Sequence, residues 1–173
     1  MNPKTKSLCT LPMPYPEIRV EGENKNYAKM LSIAYAGADG ELSAILNYIY
    51  SHIVTDGKKP YSLCDVFECI AVVEMRHFET LGKLIFLLGE DPKFYSAMGR
   101  RSYFNTGTLS YANDVSQILK NSIAGEKKAV DLYRELSKVI SDIYIKQILD
   151  RIILDEEHHI KIFSELLENP HTN

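Results

Sequence analysis

The chain has little cysteine, no basic excess and no long apolar run, and each shortage excludes a class of protein. Its three cysteines, Cys9, Cys64 and Cys69, are odd in number and form no Cys-x-x-Cys pair. They argue against a disulfide framework, a zinc ribbon or a rubredoxin module. Cys64 and Cys69 fall in an apolar helical pattern, where a free cysteine behaves as a small core hydrophobe. Buried thiols in a reducing cytoplasm are the expectation. The net charge of −3 gives no reason to expect nucleic acid or an anionic membrane as partner. No apolar run approaches the roughly 20 residues of a membrane span. The opening "MNPKTKSLCTLPMPYPEIRV" is broken by prolines and has no apolar segment of the signal-peptide kind. Clean strand alternation is missing as well; Asp39-Gly40 and Asp56-Gly57 flank helical patterns instead of β-branched runs.

What is present is helical periodicity, in a length that suits one domain. Helices are expected at about Asn24–Val54, Ser62–Leu88, Ser110–Lys138 and Ser141–Leu167. The first ends at "TDGKKP", the second at Gly89 and Pro92, and the fourth before Pro170. Residues 1–23 read as an extended arm, 24–168 as the helical domain and 169–173 as a tail. Short links make helices one and two, and three and four, antiparallel neighbours. The segment "GEDPKFYSAMGRRSYFNTGTLS" between helices two and three is long enough to return along a bundle. The expected fold is all-α: a four-helix bundle with one long crossover.

Glu precedes His by three residues in "EMRH" (74–77) and again in "DEEHH" (155–159), in a chain with only five histidines. About 0.4 such matches are expected by chance, so one alone would mean little. A third, Glu168 to His171, spans Pro170 and cannot occupy one helical turn. The faces decide the matter. Helix two repeats Phe67, Ile70, Glu74, His77, Leu81, Leu84, Leu88; helix four repeats Ile145, Ile148, Ile152, Glu156, His159, Phe163, Leu166. Helix three runs Val115, Ile118, Ser122, Glu126, Val130, Tyr133, Leu136, and helix one runs Ala34, Gly37, Ala38, Glu41, Ile45, Tyr48. A single mid-helix Glu is ordinarily solvated or salt-bridged, and a single inward His is ordinarily a satisfied core residue. Here every apolar stripe carries an acid near its middle, and Arg76, Lys127, Lys128 and Lys161 lie on other faces. Buried carboxylates need a cation. Glu41, Glu74, Glu126 and Glu156 with His77 and His159 are therefore read as a two-metal site.

These stretches resemble the ferritin-like dimetal-carboxylate superfamily over about residues 27–167. "AGADGELSAILNYIY" is similar to the first helix of manganese catalases, including members found in spore coats. "EMRHFETLGKLIFLLGEDP" and "RIILDEEHHIKIF" resemble bacterioferritin helices, and "SIAGEKKAVDLY" resembles a rubrerythrin helix. The resemblance implies Glu41 and Glu126 as terminal ligands, Glu74 as a bridge with His77 beside it, and His159 as the second imidazole. It leaves Glu156 as either a bridge or a proton-transfer group. Tyr48 matches a tyrosine near the metals, and Tyr133 points into the same cavity by periodicity. Asp155 is placed to hold His77. Its counterpart Val73 cannot hold His159, so a backbone carbonyl, water or crossover residue is expected there. Ala129 departs from the rubrerythrin pattern. The chain ends soon after helix four, so no cage is expected. Met75 stands where bacterioferritins place a haem ligand; a packed methionine is the preferred reading, and no haem is expected.

The resemblance implies two ions per chain, iron or manganese, and an oxidoreductase acting on hydrogen peroxide or O2, peroxidase- or ferroxidase-like. Glu156, Tyr48 and Tyr133 are the candidate catalytic residues. The alternatives are a manganese catalase, or a structural or spore-coat protein keeping its metal for stability. A homo-oligomer is expected, because Tyr95, Tyr103, Phe104 and Tyr111 offer apolar surface beyond the bundle's needs.

Overall fold

The computed structural model describes residues 9–58, 63–97 and 102–169. Within them run α1 (Lys25–Ala36), α2 (Glu41–Thr55), α3 (Leu63–Leu87), α4 (Val115–Val139) and α5 (Ile143–Glu168). The all-α bundle with a crossover between α3 and α4 is as expected. His171 and the rest of the tail beyond Asn169 lie outside the described residues, as does the expected start of helix two at Ser62.

The ends are set by capping chemistry. The Asn24 side chain accepts from the Asn26 and Tyr27 amides, Asp114 from Gln117, and Asp142 from Tyr144 and Ile145. The last two caps move the starts of α4 and α5 later than the periodicity predicts. Gly89 closes α3 with φ +88°, a conformation that favours glycine.

Two expectations need correction. Helix one is not continuous: it breaks at 37–40, and the inward-expected Ala38 is exposed. Glycine makes the break possible. A Cβ on Gly37 would lie 2.4 Å from the Ile33 carbonyl oxygen, and one on Gly40 2.5 Å from that of Ala34. The crossover, expected without strands, pairs β1 (Tyr95–Ser96) antiparallel with β2 (Ser102–Tyr103). Tyr95 is buried there, whereas Tyr103 and Tyr111 stay exposed.

The core divides in two. One apolar cluster gathers Leu31, Tyr35, Leu81, Leu84, Leu88, Leu136, Ile145 and Ile148. The other gathers Tyr48, Leu63, Phe67, Ile70, Ile118, Leu119 and Phe163. In α3 the chain passes from the second cluster to the first, and in α5 from the first to the second. Between the two stretches lie Glu74 and His77 on α3, and Glu156 and His159 on α5.

Candidate metal centre

Glu41, Glu74, His77, Glu126, Glu156 and His159 are all buried, and the fold brings all six together. The helix break gives Glu41 its place: it is the first residue of α2, where the N-terminal dipole favours a negative charge. The three-residue spacing stacks each imidazole on its own carboxylate. His77 Nδ1 lies 2.9 Å from Glu74 Oε2 and 3.1 Å from Glu156 Oε1. His159 Nδ1 lies 3.1 Å from Glu156 Oε2 and 3.0 Å from Glu74 Oε1. Glu74 and Glu156 each turn one oxygen to each imidazole. The result is two overlapping quartets, Glu41–Glu74–His77–Glu156 and Glu74–Glu126–Glu156–His159, either of which could hold a metal ion.

The other ring nitrogens face outward and fix the tautomers. His159 Nε2 lies 2.9 Å from the Cys9 carbonyl, which can only accept, so this nitrogen carries the proton. His77 Nε2 lies 2.8 Å from the Tyr15 hydroxyl, which donates its own proton to Asp155. Each neutral imidazole then presents an Nδ1 lone pair to the carboxylates. Toward the space between them the carboxylates and the neutral imidazoles then offer acceptors, which suits cations. Glu74 Oε1 and Glu156 Oε1 are buried without an aligned hydrogen-bond donor among the described residues.

Electrostatics agree with that donor set. Burial raises Glu41 and Glu126 well above the usual carboxylate range, helped by the charges of Glu74 and Glu156. Burial also pushes Glu74 upward, but His159 and His77 outweigh it and the net shift is down. Both imidazoles are raised: burial disfavours their charge, yet the surrounding carboxylates win. In the absence of metal, protons supply the positive charge here.

The tyrosines cross over. Tyr48 on α2 donates to Glu126 on α4, and Tyr133 on α4 donates to Glu41 on α2. Burial, then the adjoining carboxylates, raise both hydroxyls well above their ordinary value, so they remain donors. Both line a cavity of about 270 Å³ together with Glu41, Glu74, Glu126 and Glu156. Its remaining wall beside α2 and α4 is mostly small, including Ala44, Ser122, Gly125 and Ala129. Lys128 and Asp39, also on its wall, form an exposed ion pair at 2.9 Å.

Three participants were not foreseen from sequence. The Cys9 carbonyl and Tyr15 come from the proline-rich arm, which has no periodicity to read. Arg151 is buried on α5 and pairs with Asp155 at 2.8 Å. Its signal was legible: an arginine four residues before Asp155, between Ile148 and Ile152. Asp155 does lie behind His77, at 3.4 Å, and it is further held by Thr10, the Leu11 amide and Tyr15. Glu157 is exposed and His158 half-buried, both off the inward face. Met75 is exposed and not part of the core.

The cysteine reading is corrected here. Cys9 and Cys69 form a disulfide, and Cys64 is half-buried and outside that bond. The odd count hid the pair because Cys9 returns across 60 residues from a segment without pattern. The bond removes the cysteine argument for a reducing compartment. No helix among the described residues is long and apolar enough to cross a membrane.

Comparison with known proteins places this geometry. A family model described as a ferritin-like domain matches residues 38–171. A probable manganese catalase of Clostridium acetobutylicum is 27% identical over 170 residues, covering 87% of this chain and 74% of that protein. The crystal structure of KatB, a manganese catalase from Anabaena, superposes with a TM-score of 0.82 at 27% identity, covering 91% of this chain and 78% of the other. A Rhodobacter capsulatus bacterioferritin shares the fold at TM-score 0.72 and 21% identity, covering 85% and 86% of the two chains.

Proposed function

Because this chain belongs to the ferritin-like domain family, with residues 38–171 matched, we propose that it is a dinuclear metal oxidoreductase acting on hydrogen peroxide or O2. The observation that carries the reading is the pair of buried quartets sharing Glu74 and Glu156. Glu41 and His77 would hold one ion, Glu126 and His159 the other, with Glu74 and Glu156 between them. Two divalent ions would balance the four carboxylates, while Asp155 is already balanced by Arg151. Carboxylate and imidazole donors without thiolate suit iron or manganese better than structural zinc. Such a pair supplies a two-electron redox couple.

The chain's own groups handle the protons. Glu156 lines the cavity; where it is not itself a ligand, it can take up a proton from a peroxide there. Tyr48 and Tyr133 keep the terminal carboxylates oriented and offer hydroxyl protons at the cavity wall. The small side chains around them leave room for a molecule of a few heavy atoms.

A second reading, manganese catalase, is favoured by the manganese catalases among the similar proteins. One experiment separates the readings: metal content by mass spectrometry on protein expressed with iron and manganese both available, followed by peroxide assays. Two irons per chain with reductant-dependent turnover supports a peroxidase or ferroxidase. Two manganese with oxygen evolved from peroxide alone supports catalase. Metal-dependent melting without turnover supports a structural role, and an intact fold that binds neither metal overturns the site.

A further inference from the structure

The arm reaches the metal centre from the α3–α5 side, whereas the cavity lies beside α2 and α4, and no step of the proposed reaction uses the arm. We propose that the Cys9–Cys69 disulfide is a redox latch that clamps the arm over both imidazoles, so that its reduction loosens the metal centre. The proposal rests on the dinuclear-metal reading above.

Four observations carry it. First, the latch and the support are one residue: Cys9 holds Cys69 through Sγ and takes the His159 Nε2 hydrogen bond on its carbonyl. Second, the anchor is on α3, the helix that carries Glu74 and His77. Third, the segment from Cys9 to Tyr15 is devoted to this place. Thr10 and Leu11 bond Asp155, Tyr15 bridges Asp155 and His77, and the Leu11 and Met13 carbonyls accept from Arg151. The guanidinium groups of Arg151 and Arg76 lie over the Tyr15 ring, at 4.3 and 4.6 Å. Fourth, this segment has no helix or strand to hold it, and the disulfide is the covalent tie that shortens its path to the bundle. Beyond it the arm has separate fixings, the Glu21 amide on Asp142 and the Asn24 amide on the Leu88 carbonyl. Releasing the bond therefore frees the part of the arm over the metal centre while the rest stays in place. Holding an extended segment costs conformational entropy, which the latch reduces by restricting the free state.

The chemistry balances. A dithiol reductant gives two electrons and two protons; the Sγ–Sγ bond breaks, two cysteine thiols form, and the reductant leaves as its own disulfide. In reverse, two thiols and one hydrogen peroxide give the disulfide and two waters. Both cysteines are buried, so reductant reaches the bond only as the arm lifts.

The test uses the full metal-loaded chain, oxidised and after treatment with dithiothreitol, beside Cys9→Ser and Cys69→Ser. Cys9→Ser deletes the bond and keeps the carbonyl. Hydrogen exchange is followed over residues 9–15, and metal transfer to a chelator is timed. Reduction should raise arm exchange and speed metal loss roughly 10- to 100-fold, the range expected when support behind a ligand is lost. Both variants, without reductant, should match the reduced wild type, and reductant should add nothing to them. Unchanged arm exchange, or arm opening with unchanged metal loss, overturns the proposal. Should a variant fail to fold, the wild type before and after reduction decides alone. A chain that binds no metal overturns the metal reading and the retention part with it; arm exchange in that metal-free chain still decides the latch.

Discussion

Tyr133 on α4 donates its hydroxyl to Glu41 on α2, 92 residues away, and Tyr48 on α2 donates to Glu126 on α4 in return. Each tyrosine follows its own helix's acid by seven residues and serves the acid of the other helix. The two helices thus position one another's terminal carboxylates. Tyr133→Phe should weaken the ion held by Glu41 and His77 by about 10-fold and leave the other close to normal. Tyr48→Phe should do the reverse. Metal titrations that show both ions equally affected in either variant would sink the assignment.

Asp155 is the convergence point behind His77. It accepts from Thr10, Leu11 and Tyr15, and it carries the charge opposite buried Arg151. Asp155→Asn keeps the shape but leaves a buried guanidinium without its counter-charge, at a cost of about 3–5 kcal/mol. The denaturation midpoint of the metal-free variant should fall accordingly, and metal affinity roughly 10- to 100-fold. Wild-type values for both would refute the role.

Protonation gives the metal-free chain an inverted pH dependence. His77 and His159 are raised above their ordinary 6.5 because nearby carboxylates outweigh burial. A raised group contributes its full stability below its unfolded pKa and loses it as pH rises through the folded value. Glu41 and Glu126, also raised, act in the same direction. Glu74 and Glu156 are lowered from 4.5, so their contribution is lost only as pH falls below that region. Thermal melts of metal-free protein should peak near 4.5, decline above it as Glu41 and Glu126 lose their contribution, and decline more steeply above 6.5. Metal binding displaces the protons, so the loaded protein should hold or gain stability over the same rise. Parallel curves for the two forms would count against this.

Two glycines beside the site should respond oppositely to alanine. At Gly40 a Cβ meets the Ala34 carbonyl oxygen at 2.5 Å, so Gly40→Ala must shift the start of α2 and displace Glu41. At Gly125, inside α4, a Cβ meets nothing within 4 Å. Gly125→Ala should therefore stabilise by about 0.5–1 kcal/mol through helix propensity. Melting curves of the two variants check both signs.

The bundle and its six inward-facing acid and imidazole side chains were readable because helical period 3.6 is itself a geometric statement. Glu74 and His77 had to share a face with Phe67 and Leu81. The break at 37–40 was invisible to the same rule, since Ala34 and Glu41 are seven apart and keep register across it. Cys9 was invisible for a different reason. Its contribution is a backbone carbonyl, which every residue type offers, delivered by a segment without period. Arg151 stands one turn from Asp155 and not level with the four glutamates, so a comparison of charges at the level of those acids does not include it.

The charged floor between the two apolar clusters divides the protein's mechanical interior as well as its chemistry. Among the described residues, Leu31 and Leu84 belong to one apolar cluster and Phe67 and Phe163 to the other. A cavity opened at Leu84 and one opened at Phe67 should relax separately, and their destabilisations should sum to within about 0.5 kcal/mol. The two halves could then be repacked in turn, like rooms sharing a single bolted partition.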